Sequence, residues 1–88
     1  MSTNLLIAAQ PTVPLILMVT EGEDAKQIDN EKCFYPALIE RVRAKISDYD
    51  IESVTVYGPR TYVAHIASDI KEAFPNENVK LAFAGEER

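Results

Sequence analysis

Cysteine, histidine and glycine are nearly missing from this chain of 88 residues, which has one Cys, one His, three Gly and no Trp. The lone Cys33 excludes an intrachain disulfide and, without partner ligands, a structural zinc site of the usual four-ligand kind. Neither a Gly-x-Gly-x-x-Gly fingerprint nor a phosphate loop with its lysine is present. A basic block is missing too. The nine Lys and Arg are scattered against fourteen Asp and Glu, for a net charge of −5. An acidic surface repels nucleic-acid phosphates, so no nucleic-acid partner is expected. The long apolar stretch from Asn4 to Thr20 has no basic flank and is broken by Gln10, Pro11 and Pro14. It is too interrupted to span a bilayer as a helix, so no membrane partner or targeting segment is expected. A cytoplasmic location with a reduced thiol follows.

What is present is ordinary for a packed globule: 47% hydrophobic and 26% charged residues, with no repeat or linker. One domain over residues 1–88 is expected. A domain of this size buries only about 60–65% of the surface its unfolded chain exposes. Its core is thin, and a second copy or a partner is a natural source of further burial.

Leu5, Leu6, Ile7, Ala8 and Ala9 form a first apolar run, and Gln10 to Pro14 a turn. Leu15, Ile16, Leu17, Met18, Val19 and Thr20 follow as a second run, so an antiparallel pair is expected. Residues 21–32 are polar and mostly acidic, either a short extension of that pair or a loop. From Phe34 to Tyr49, the apolar residues Tyr35, Leu38, Ile39, Val42, Ile46 and Tyr49 recur at helical steps, with Arg41 and Lys45 on the other faces. Pro36 suits the first turn of that helix. Ser53, Val54, Thr55, Val56 and Tyr57 alternate as a strand, which Gly58 and Pro59 break. A second helix is expected to Phe74 on the stripe Val63, Ile66, Ala67, Ile70, Ala73 and Phe74. A last strand spans Val79 to Phe83, and the tail from Gly85 frays.

The fold class expected is therefore α/β, a two-layer β-β-α-β-α-β sandwich with a mixed four-stranded sheet. The last three strands are parallel and the first antiparallel. Two right-handed crossovers stepping the same way place both helices on one face. The second strand is apolar on both faces, so its outer side needs a cover, which points to a homodimer.

Two sets of residues are candidates for function. The strand-to-helix turn of Gly58, Arg60, Thr61 and Tyr62 offers backbone N–H groups, a guanidinium and hydroxyls to an anion, or is a turn that Thr61 caps. It shares an expected rim with Thr20, Glu21 and Gly22 and with Ala84, Gly85 and Glu86. The open sheet face with Thr55, Tyr57 and Lys80, together with the acidic pair Glu23 and Asp24, is the candidate interaction surface. His65 stands four residues before Asp69, a spacing that can orient an imidazole, or is an exposed helical histidine. Cys33 beside a helix start is either an activated thiol or a packed small residue. Glu21, Glu23, Asp24, Asp29 and Glu31 either gather around a cation or form a solvated loop, and they do not follow the EF-hand order.

The stretch from Phe34 to Ala67, on the residues Ile51, Glu52, Ser53, Val54, Thr55, Val56, Tyr57, Gly58 and Pro59, resembles the helix–strand–Gly-Pro–helix segment of RNase H-like and actin-like ATPase domains. The catalytic carboxylate that such nucleases place on their first strand has no counterpart between Leu5 and Gln10. Without a paired catalytic constellation, cofactor fingerprint or metal-ligand spacing, no cofactor or metal is expected. The reading is a small acidic accessory or protein-interaction module of bacterial or phage type, associating with itself and with another protein. The alternative is an anionic-ligand-binding protein or minor enzyme using Gly58, Arg60, Thr61 and Tyr62.

Overall fold

In the computed structural model, residues 3–9 and 14–84 are described. Of the turn expected over Gln10 to Pro14 only Pro14 is among them, and the tail expected to fray from Gly85 lies outside them. Five strands and two helices alternate as β1 (Thr3–Ala8), β2 (Leu15–Glu21), β3 (Lys26–Cys33), α1 (Leu38–Tyr49), β4 (Ser53–Gly58), α2 (Arg60–Ala73) and β5 (Val79–Phe83). A 3-10 turn, Tyr35–Ala37, leads into α1 with Pro36 in its first turn, where a missing N–H costs nothing. The helix therefore starts at Leu38 rather than Phe34. Asp50, in the left-handed conformation, ends it.

The mixed α/β architecture with two helices is the expected one, but the sheet has five strands, in the order β3-β2-β1-β4-β5. The additional strand is β3, which occupies most of the polar segment left open between strand extension and loop. The parallel set also differs from expectation. β4 runs parallel to β1 and β5 parallel to β4, while β2 is antiparallel to β1. The hairpin from β2 into β3 reverses the chain a second time. The α1 connection then passes from β3 over β2 and β1 to β4, and the α2 connection continues to β5. Both crossovers step in one direction. Accordingly α1 packs over β1 and β2, α2 over β4 and β5, and the helices touch each other.

Register explains which side chains the helices cover. Leu5 pairs with Val19 and Val54, and Ile7 with Leu17 and Val56. All six are fully buried, as are Leu38, Val42, Val63, Ile66 and Ile70 on the helix side. Cys33, Glu31 and Asp29 pair with Leu15, Leu17 and Val19, so they share that covered face. Here the core turns ionic. Lys45, which helical spacing places on a polar face, is only 6% exposed. Its ammonium lies 2.6 Å from Asp29 Oδ2 and 2.7 Å from Glu31 Oε1. Tyr49 donates its hydroxyl to Asp29 Oδ2 at 2.9 Å, and Arg41 Nη2 donates to Glu31 Oε1 at 3.0 Å. Arg41 Nε stands 2.7 Å from Glu31 Oε2 as an ion-pair contact without hydrogen-bond geometry.

Hydrogen bonds from Lys45 and Tyr49 hold the Asp29 carboxyl below its ordinary range. Those from Arg41 and Lys45 do the same for Glu31. Burial pulls the Lys45 ammonium down, but the two carboxylates outweigh it and leave it above its usual value. The carboxylates thus stabilise the fold above their ordinary pKa range, and this contribution fades as pH falls through their lowered values. Lys45 contributes below its ordinary ammonium pKa and loses that contribution as pH rises beyond it. The urea midpoint is expected to be lower at about pH 3 than at about pH 7. Equal midpoints would show that the cluster contributes nothing.

No helix among the described residues is long and apolar enough to cross a membrane.

Candidate functional site: the open face of the sheet

The side chains that alternate with the core point away from both helices. Across the sheet, register lines up Lys32, Ile16, Ala8, Tyr57 and Ala82 in one row. Asn30, Met18, Leu6, Thr55 and Lys80 form the next. Leu6, Ala8, Ile16 and Met18 are half-buried, and Tyr57 is 47% exposed. Among these ten residues the only charges are the lysines on the outer strands. The middle of the face is apolar, with one aromatic anchor. Thr55, Tyr57 and Lys80 therefore do lie together. Glu23 and Asp24 do not join them. They occupy the β2–β3 turn, closed by the Ala25 N–H donating to the Gly22 carbonyl at 3.1 Å.

That turn also corrects the expected rim. β2 is antiparallel to β1, and Thr3 pairs with Glu21, so Thr20, Glu21 and Gly22 stand at the end of the sheet opposite Gly58. Ala84 is at the Gly58 rim, its N–H donating to the Gly58 carbonyl at 2.8 Å. Gly85 and Glu86 lie outside the described residues.

At that rim, Gly58 has a positive φ of 149°, and a Cβ there would sit 2.3 Å from the Ala9 carbonyl oxygen. The glycine serves close approach of β4 to the chain leaving β1, which Ala9 N–H secures by donating to the Tyr57 carbonyl at 2.7 Å. The cap of α2 is Pro59, without a side-chain cap hydrogen bond, so Thr61 does not cap the helix. The Arg60 guanidinium lies 4.3 Å over the Phe83 ring, a cation–π contact that turns it toward the end of β5. Thr61 and Tyr62 are exposed on the first turn.

The other candidates resolve into structure. His65 Nε2 is 3.9 Å from Asp69 Oδ2, as the four-residue spacing predicts. Tyr35, however, takes the carboxylate, donating its hydroxyl to Asp69 Oδ2 at 2.5 Å and stacking on the His65 ring at 5.7 Å. Burial and that carboxylate push the Tyr35 hydroxyl up to about 12. The trio ties the entry of α1 to α2. Cys33 is buried and donates its thiol to the Phe34 carbonyl at 3.2 Å. Burial, then Glu31, raise its pKa, which opposes thiolate chemistry. Asp29 and Glu31 are engaged by Lys45 and Arg41, and no group of three His, Cys, Asp or Glu able to hold a metal occurs among the described residues. β1 carries no carboxylate, so the first-strand catalytic carboxylate of the RNase H-like nucleases that this segment resembles has no counterpart there.

The chain matches no protein-family model and no curated protein sequence. Among solved structures it is similar to Pelota of Archaeoglobus fulgidus, with a TM-score of 0.67 and 17% identity. The match covers 98% of this chain and 28% of that one. At such identity the likeness is one of fold alone. The chain spans about a quarter of the Pelota chain, so nothing of that protein's activity is carried across.

Proposed function

We propose that this chain is a small, non-catalytic protein-interaction module that associates with a second copy of itself through the open face of its sheet. The observation that carries the reading is the apolar centre of Leu6, Ala8, Ile16, Met18 and Tyr57 between Lys32 and Lys80, over which no helix packs among the described residues. Burying such a centre is the main gain available to a domain with a single thin core. The lysines, on the outermost strands, can lay their stems along the rim and keep their ammonium groups in water. Size supports a second copy. Strands about 4.8 Å apart and roughly six residues long give a face on the order of 500 Å² in projection. That is the scale of the roughly 800 Å² per partner that a stable interface removes, once side-chain relief and rim are added.

The anionic-ligand reading at Gly58, Arg60, Thr61 and Tyr62 has less support. Gly58 is explained by contact with Ala9, and Arg60 is turned onto Phe83.

Met18→Lys places a charge at the centre of the face without touching the core. Sedimentation velocity is expected to show monomer for this variant and dimer for the parent, with unchanged far-UV circular dichroism. Tyr57→Lys is expected to act the same way. Variants that remain dimeric would contradict the assignment of the interface to this face.

A further inference from the structure

A second unpartnered surface lies at the edge of the molecule, on the other side of β5. Among the described residues this strand pairs with β4 alone, which leaves its outer edge open to another strand. Leu81 pairs with the fully buried Val56 and so points to the helix side of the sheet, yet it is 46% exposed. Between β5 and α2 runs a groove of about 390 Å³ lined by Ala64, Ala67, Ser68, Lys71, Val79 and Leu81. Its helix wall is made of small side chains, which leave room beside Leu81. Lys71 stands on that wall and Lys80 on the opposite face of the strand. Neither makes an ion pair among the described residues.

Charge chooses the occupant. A second copy pairing edge to edge would bring Lys71 and Lys80 of both copies together, and edge lysines oppose such pairing. An extended segment with alternating carboxylates and apolar side chains meets the same surface with complementary charge. We propose that the β5 edge and the α2–β5 groove accept an extended acidic–apolar segment of a partner protein as a sixth strand. Apolar side chains enter the groove beside Leu81 and the stem of Lys71, the alternate carboxylates face Lys80 on the other side of the sheet, and main-chain hydrogen bonds supply the rest. The groove and the β5 edge are separate from the apolar centre of the open face, of which Lys80 is only a rim residue, so binding here is read independently of dimerisation there.

The test uses the full chain and a fluorescein-labelled peptide, Glu-Val-Glu-Leu-Glu-Val-Glu, read by fluorescence anisotropy. Saturable binding is expected below about 200 µM, with backbone amide shifts confined to β5 and α2. Lys80→Glu is expected to weaken binding about tenfold. Ala64→Phe, which fills the groove from an exposed helix position, is expected to abolish it. The same peptide N-methylated at alternate residues, and its Lys-for-Glu counterpart, are expected not to bind. No binding by the parent protein would overturn the proposal. So would equal binding by the Ala64→Phe variant or by the N-methylated peptide, which would mean surface electrostatics alone, and so would shifts on β1 and β2 instead of β5. A folded Ala64→Phe spectrum separates groove closure from unfolding.

Discussion

Replacing Lys45 by Ala is expected to destabilise the fold by about 2–3 kcal/mol, among the largest effects of any single substitution in this chain. Lys45 is the buried cation between Asp29 and Glu31, and its removal leaves two carboxylates facing each other under α1. Breaking a fully buried pair from one side costs about 3–5 kcal/mol, and the figure is lowered here because both acids retain some exposure. Arg41 still serves Glu31, and Tyr49 still serves Asp29. Lys45→Met separates charge from packing, because it keeps an unbranched apolar stem. It is expected to lose most of the same stability at neutral pH and less near pH 3, where the unfolded chain's carboxylates take up protons and part of the parent's advantage has faded. Adding Asp29→Asn and Glu31→Gln to Lys45→Met is expected to restore a large part of the loss, since no buried charge is then left unpaired. Urea midpoints of the four proteins at both pH values check this. A Lys45→Met midpoint equal to that of the parent at neutral pH would show that the cluster is a surface decoration.

Gly58→Ala is expected to cost about 3 kcal/mol or more. Two penalties add at this position. The backbone has a positive φ of 149°, which a residue with a Cβ rarely adopts, and that Cβ would lie 2.3 Å from the Ala9 carbonyl oxygen. The obstacle is backbone and cannot rotate away. Relief requires β4 to part from the chain beyond β1, at the hydrogen bond from Ala9 N–H to the Tyr57 carbonyl. Gly22→Ala is the matched control, because Gly22 also has positive φ, 80°, but open space where its Cβ would go. That substitution is expected to cost only about 1 kcal/mol. Similar thermal midpoints for the two variants would show that the close approach at Gly58 is not a constraint.

Both positions show how far the sequence can be read. The strand Val79–Phe83 has the bounds its alternation gives, and α2 ends one residue before the expected Phe74. These elements announce themselves because each buries an apolar periodicity. β3 does not, because its inward side chains include Asp29 and Glu31 and its composition is poor in strand formers. Its strand character is legible only in combination with α1. Arg41, Lys45 and Tyr49 recur every fourth residue and form a polar stripe that faces the alternating carboxylates of β3. β3 also fixes the parallel set, because its extra reversal leaves β2 antiparallel to β1 and β4, where a four-stranded pattern makes β2 parallel to β4. The consequence reaches the candidate site. Thr55, Tyr57 and Lys80 do share a face, as alternation requires, whereas the rim that was expected to join Glu21 and Gly58 does not exist. The role of Gly58 depends on Ala9, which is distant in sequence, and no local pattern shows that contact.

The central claim is that the open sheet face is an interface between two copies. Sedimentation equilibrium of the unmodified chain over a concentration series tests it most directly. The account predicts a reversible monomer–dimer equilibrium reaching twice the 9.8 kDa chain mass. A mass that stays at 9.8 kDa up to the highest concentration reached would contradict it, and would leave the apolar centre of Leu6, Ile16, Met18 and Tyr57 uncovered in solution.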